Sequence, residues 1–252
     1  MRMRCAAVFH LGASVLAFGL VAAGSGAASA TLLTNGSLDV PGLHEVDGAT
    51  GWTQVEGPAG DTATMATFAN HTPPPAPAGS TGQVGLWARA FTGSVETPTF
   101  FHLHQDVPAT PGLLYTMTGW ARFEANYAGG LTEVPFLNPA TGALEMVPSP
   151  TDTFFALEFL DAGNALLAST EIELMAAGQM NDGVWQEHML SALAPGGAAL
   201  VRVRASAIDM VAVTAAQSAF FDDFTLTAVP EPSAAALALS ALAALGARRR
   251  RA

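Results

Sequence analysis

The stretch FHLHQDVPATPGLLYTMTGWARF, residues 101–123, decides the fold. Phe101, Leu103, Gln105 and Val107 alternate with His102, His104 and Asp106, the two-residue period of a strand with one face turned inward. Pro108 to Gly112 reads as a turn. Leu113 to Phe123 then alternates again, with Tyr115, Met117, Gly119 and Ala121 on one face and Thr116, Thr118, Trp120 and Arg122 on the other. No 3.6-residue period fits either half.

The same texture continues outward. Phe154 to Leu160 runs into Asp161-Ala162-Gly163-Asn164, a hairpin turn, and returns through Leu166 to Leu174. Val184 to Ser191, Ala199 to Ala207 and Ala219 to Ala228 complete the series, and residues 174 to 181 alone suggest a short helical turn. Two stretches interrupt it. Residues 69 to 83 hold Pro73-Pro74-Pro75-Ala76-Pro77, a loop because proline removes ladder donors. Residues 125 to 153, rich in Gly, Pro and Thr, read as a long insertion. Short strands at this spacing, without an internal repeat, predict one all-β domain over 31–229, an antiparallel β-sandwich.

Composition agrees. Of 252 residues, half are apolar and 12% charged, too apolar and charge-poor for a disordered chain. There is no lysine. Residues 31 to 229 carry twenty Asp and Glu against Arg89, Arg122, Arg202 and Arg204, a net of −16. Such an acidic domain repels phosphate backbones and argues against a nucleic-acid partner. The lone cysteine, Cys5, rules out disulfides within the chain.

The two ends read as an address. Arg2 and Arg4 precede an apolar stretch from Cys5 to Val21, and Ala28-Ser29-Ala30 offers a small-x-small cleavage site. Residues 1–30 are therefore expected to be a secretory signal, passed through the export translocon and cut by signal peptidase after Ala30. At the other end Pro230-Glu231-Pro232 precedes an apolar run, residues 233–247, closed by Arg248, Arg249, Arg250 and Arg251. As a helix that run spans roughly 23 Å at ~1.5 Å per residue, and snorkelling arginines help it cross the membrane. The arginines hold the C-terminus in the cytoplasm.

Motif, apolar helix and terminal arginine cluster in that order resemble the PEP-CTERM sorting domain of Gram-negative bacteria. The resemblance covers residues 230–252. It implies recognition by exosortase, transient anchoring in the inner membrane, processing near Pro230, Glu231 and Pro232, and delivery to the cell surface or exopolysaccharide matrix.

Within 31–229, Asn35-Gly36-Ser37-Leu38-Asp39 followed by Gly51-Trp52 resembles the opening of galactose-binding-like β-sandwiches, the jelly-roll fold of many carbohydrate-binding modules. Gln105-Asp106-Val107 with Pro111-Gly112 and Tyr115-Thr116-Met117 is similar to their central hairpin. Leu157 to Leu167 matches their Gly-containing turn, Gly183-Val184-Trp185-Gln186 the next strand, and Phe220 to Leu226 their closing strand. The resemblance implies a structural Ca²⁺ held by Asp39 and one of Asp222 and Asp223, with backbone carbonyls. Hard oxygen ligands suit that ion. Strand alternation places Asp222 and Asp223 on opposite faces, so only one would coordinate. A solvated acidic pair at a strand end is the equal alternative.

Other candidates are weighed residue by residue. His102 and His104 share a strand face, which can suit a transition metal, with a third ligand from His44, His71 or His188. No metalloenzyme spacing accompanies them, so exposed strand histidines are the expected reading. Among Trp52, Trp87, Trp120 and Trp185, the first and last are assigned to the core. Trp120, with Arg122, is the ligand-face candidate, since aromatic faces pack on sugar rings. No nucleophile elbow, P-loop or dinucleotide fingerprint is present. The sequence thus predicts a non-catalytic, exopolysaccharide-binding or envelope-associated sandwich. A purely structural matrix protein is the alternative, and a secreted glycoside hydrolase a third reading.

Overall fold

The computed structural model describes residues 31–40, 49–61, 63–67, 84–213 and 216–230. The signal segment with Ala28 and Ala30, the proline run, and the tail from Glu231 through Arg251 lie outside the described residues.

Two five-stranded antiparallel sheets are stacked face to face. The first has the order β1 (Thr53–Gly57), β4 (Thr99–Pro108), β11 (Leu200–Met210), β8 (Asp152–Leu160), β9 (Leu166–Glu173). The second has the order β10 (Gln186–Leu193), β5 (Leu113–Phe123), β12 (Ala219–Pro230), β3 (Val84–Ala88), β2 (Ala63–Thr67). The all-β sandwich expected from the alternation is therefore what forms. Three short strands before residue 99 escaped that reading.

Each long strand buries alternate residues between the sheets. Phe101 and Leu103 from β4, Met117 and Ala121 from β5, Phe155 and Leu157 from β8, Val203 and Ala205 from β11 are all fully buried. Phe155 sits at the centre, its ring 5.2 Å from Phe224 and 5.9 Å from Phe221. Burying each of these side chains other than the alanines contributes about 1.5–3 kcal/mol.

The Asp161–Asn164 hairpin forms as read, joining β8 to β9, with Asn164 at φ 64° and the Asp161 carboxylate accepting from Gly163 and Ala165 N–H. The 108–112 turn does not make a hairpin. β4 and β5 belong to different sheets, so these residues arch from one layer to the other. Thr110 N–H donates to the Tyr115 hydroxyl at 2.8 Å, and Gly112 takes φ 79°. A turn-rich segment looks the same in sequence whether its flanking strands pair or separate. Residues 174–178 form turns, not a helix. The 125–153 insertion holds a 3₁₀ turn (Ala128–Gly130) and a two-stranded ribbon of β6 (Glu133–Leu137) and β7 (Leu144–Pro148), and β8 begins inside it at Asp152. At the other end β12 runs two residues past the strand read to Ala228, with Pro230 opposite Leu113.

β12 contains a bulge. Asp222 faces Trp120 in register and Thr225 faces Thr118, so three steps on β12 match two on β5. Asp223, at φ 49°, absorbs the extra residue. Phe221 and Phe224, three apart, can therefore both be buried in the core.

Candidate functional site

The site is built where residues 31–40 lie against the bulge. Asn35, at φ 51°, closes the local loop with its side chain: its amide donates to the carbonyls of Val40 and Thr50, and its oxygen accepts from Val40 N–H. Trp52 donates its indole N–H to Asn35 O at 2.9 Å and packs on Phe224. Buried Gln105 reaches across from β4, accepting from Thr34 N–H and donating to the carbonyls of Thr34 and Gly51. Gly36 must be glycine, because a Cβ there would drive into the Phe224 carbonyl. The close approach lets Phe224 N–H donate to Gly36 O at 2.7 Å, while Leu32 N–H donates to Leu226 O. The Asn-Gly and Trp landmarks are thus the fittings that hold residues 31–40 beside β12.

Between this segment and the outer face of the second sheet lies a cavity of about 490 Å³. Asn35 and Ser37 line it from the segment, Thr118 and Trp120 from β5, Glu187 from β10, and Asp223 and Thr225 from the bulge of β12. Trp120 is half-buried on this outer face, as the alternation predicted. Its cross-strand neighbours are Glu187 on one side and Asp222 on the other. Beyond it Thr118 and Thr225 share a hydroxyl hydrogen bond of 2.9 Å, and Thr116 and Ser191 one of 2.7 Å. The surface offers one aromatic face, fixed hydroxyls and two carboxylates. Glu187 and Thr225 were missed by the sequence reading, because their adjacency to Trp120 depends on strand register.

Two expectations need correction. Arg122 shares Trp120's face but does not line the cavity: its guanidinium lies 4.3 Å from the Phe220 ring centroid and 5.5 Å from that of Trp185. Trp185 is buried, yet on that outer face against Phe220, outside the inter-sheet core. Trp52 is in the core as expected. Trp87 lies on the outer face too, edge-on to Phe91 with Arg89 over both rings.

The bulge also overturns the opposite-faces argument for Asp222 and Asp223. Asp223 lines the cavity alongside Trp120. Asp222 is fully buried beside Gly85, where a Cβ would stand 3.6 Å from its Oδ2. Its Oδ1 accepts from Asp223 N–H, while Oδ2 has no hydrogen-bond partner among the described residues. Burial first, then the charge of Asp223 and more weakly that of Asp39, push its carboxyl up to about 9. A buried carboxyl with an orphaned oxygen and two acidic neighbours fits a hard cation. Among the described residues no group of three or more His, Cys, Asp or Glu side chains stands in metal-binding array, so carbonyl oxygens would have to complete the shell.

The histidines part company. His102 and His104 are on the outer face of the first sheet, both held below the usual imidazole value by burial and then by arginine charge. His188 is in the other sheet, buried against Phe155 with Nε2 on Gln179 at 2.9 Å, and cannot join them. His44 and His71 lie outside the described residues. Around His102 and His104 runs an ion-pair ladder. Arg202 grips Asp106 through Nε and Nη2, and Arg204 binds Glu158, Glu171 and Ser206. The Asp106 carboxyl is held down by that bond.

No helix among the described residues is long and apolar enough to cross a membrane. No family model matches the chain, and no curated protein matches it. Solved structures do. The enzymatically active domain of tailspike protein 4 of bacteriophage CBA120 superposes with a TM-score of 0.51 at 12% identity, covering 79% of this chain. The match spans only 21% of the tailspike chain. The Stig cyclase Fisc from Fischerella sp. TAU, in complex with (3Z)-3-(1-methyl-2-pyrrolidinylidene)-3H-indole, gives 0.50 at 14% identity over 80% of this chain and 98% of its own. TmCBM61 in complex with β-1,4-galactotriose gives 0.43 at 14% identity over 79% and 99%. At these identities the first two likenesses carry the architecture alone: this chain is a β-sandwich of the kind found in both a tailspike and a cyclase.

Proposed function

We propose that this protein is an exported, non-catalytic carbohydrate-binding β-sandwich, sorted by exosortase to the cell surface or exopolysaccharide matrix. The observation that carries the binding reading is the cavity at Trp120. An aromatic face beside pre-paired hydroxyls on a rigid sheet is the chemistry a sugar ring meets well, apolar on its faces and polar at its edge. The test is calorimetric titration of the protein with a polysaccharide panel including the host's own exopolysaccharide. Saturable binding that Trp120→Ala abolishes in a folded protein is expected; unchanged affinity in that variant overturns the site.

The sorting half rests on the order of Pro230-Glu231-Pro232, the apolar run and the arginine cluster. Mass spectrometry of the surface form is expected to find a C-terminus near Pro230 and no Arg248–Arg251. Intact arginines there overturn it.

A structural Ca²⁺ belongs to the same proposal. Asp222 and Asp39 would hold it with backbone carbonyls, joining residues 31–40 to β12, and its charge would keep Asp222 ionised. The second reading, a structural matrix protein, is favoured by the β6–β7 ribbon, whose Leu137, Leu144 and Met146 are 58–72% exposed. Assembly without any glycan would support it.

A further inference from the structure

We infer that the Trp120 cavity selects glycans bearing protonated amines, such as chains of de-N-acetylated amino sugars, over neutral and acidic ones. The inference rests on the carbohydrate-binding reading of that cavity and adds the charge of its ligand.

Among the described residues, the charged side chains that line the cavity are Glu187 and Asp223. Register puts Glu187 directly across from Trp120, with the Asp222–Asp223 bulge on Trp120's other side. An ammonium over the indole would thus lie between carboxylates, and an aromatic face attracts cations through its quadrupole. Among the described residues no arginine lines the cavity. Arg202 and Arg204 are engaged with carboxylates on the opposite sheet, Arg89 stacks on Trp87 and Phe91, and Arg122 stacks on Phe220 and Trp185. There is no lysine in the chain. The −16 of residues 31–229 adds a field that gathers cationic polymers and repels uronates and phosphates. The hydroxyl pairs Thr118–Thr225 and Thr116–Ser191 extend the lane from Trp120 over roughly 13 Å at ~3.3 Å per strand residue, room for two or three sugar rings.

The test titrates the protein with a β-1,4-linked glucosamine tetramer, its N-acetylated counterpart, a galacturonate tetramer and putrescine, at mildly acidic pH and at low and high salt. The expected result is glucosamine binding about tenfold or more tighter than the acetylated chain, a gap that narrows with salt, and no galacturonate binding. Glu187→Gln narrows the gap to about twofold. Glu171→Gln, an equal charge change on the other sheet, leaves it intact. Saturable binding of the neutral tetramer with no gain from the amines overturns the charge selectivity and leaves the glycan reading standing. Putrescine binding as tightly as glucosamine overturns the sugar component. Binding of none of the four overturns both.

Discussion

The two outer faces of this sandwich use polar residues in opposite ways. On the first sheet Asp106, Arg202, Glu158, Arg204 and Glu171 consume one another's hydrogen bonds across four neighbouring strands. On the second, the carboxylates of Glu187 and Asp223 share a cavity with Trp120, and no arginine is among the described residues that line it. A face whose charges pair with one another has little to offer a ligand; one that sets carboxylates beside an aromatic ring offers an arriving cation both. Exposure alone would not separate them, since both carry half-exposed charged side chains.

That contrast can be broken in a definite order. Gly36→Ala is expected to have the largest effect, because its Cβ collides with the backbone of Phe224 and pushes the first segment off β12. A loss of about 2–3 kcal/mol in chemical denaturation, together with loss of glycan binding, is expected. Arg204→Ala sharpens the contrast from the other side. It strands Glu158, only 12% exposed, without its main partner, and should cost about 2 kcal/mol while leaving glycan affinity unchanged. A fall in affinity would mean that the faces are not independent.

Two pH effects of opposite sign follow. Asp222 is protonated in the metal-free fold up to about 9 but ionises near 3.8 when unfolded. Between those values the unfolded chain binds fewer protons, so this group's contribution is full below 3.8 and drains away as pH rises toward 9. Asp222→Asn should flatten that part of the stability curve, and added Ca²⁺ should raise the melting temperature of the natural protein at alkaline pH but not that of the variant. His188 gives the smallest effect and the reverse slope. Burial holds its imidazole below the usual 6.5, so its contribution is present above 6.5 and lost as pH falls below it. His188→Gln should lose that acid sensitivity, read as melting temperature against pH.

How much was legible follows from the range of each interaction. Strand alternation is a local property, so β4, β5, β8, β11 and β12 could be read to within a few residues, and Trp120's face with them. Short β1, β2 and β3 lack enough repeats to show a period. Arg122 shares the alternation of Trp120 but was pulled onto Phe220 by a cross-strand neighbour that no local pattern names. Trp185 was misplaced because burial on an outer face looks the same, in composition, as burial in the core.

The sequence by itself determined the all-β class, the acidic and lysine-free surface, and the outward position of Trp120, because period and charge are written one residue at a time. Only the tertiary structure decided that residues 108–112 arch between sheets, that a bulge turns Asp223 into the cavity while Asp222 stays buried, and that Glu187 stands opposite Trp120. Those outcomes depend on which strands pair and in what register, which is settled by the fit of the whole core around Phe155, Phe221 and Phe224.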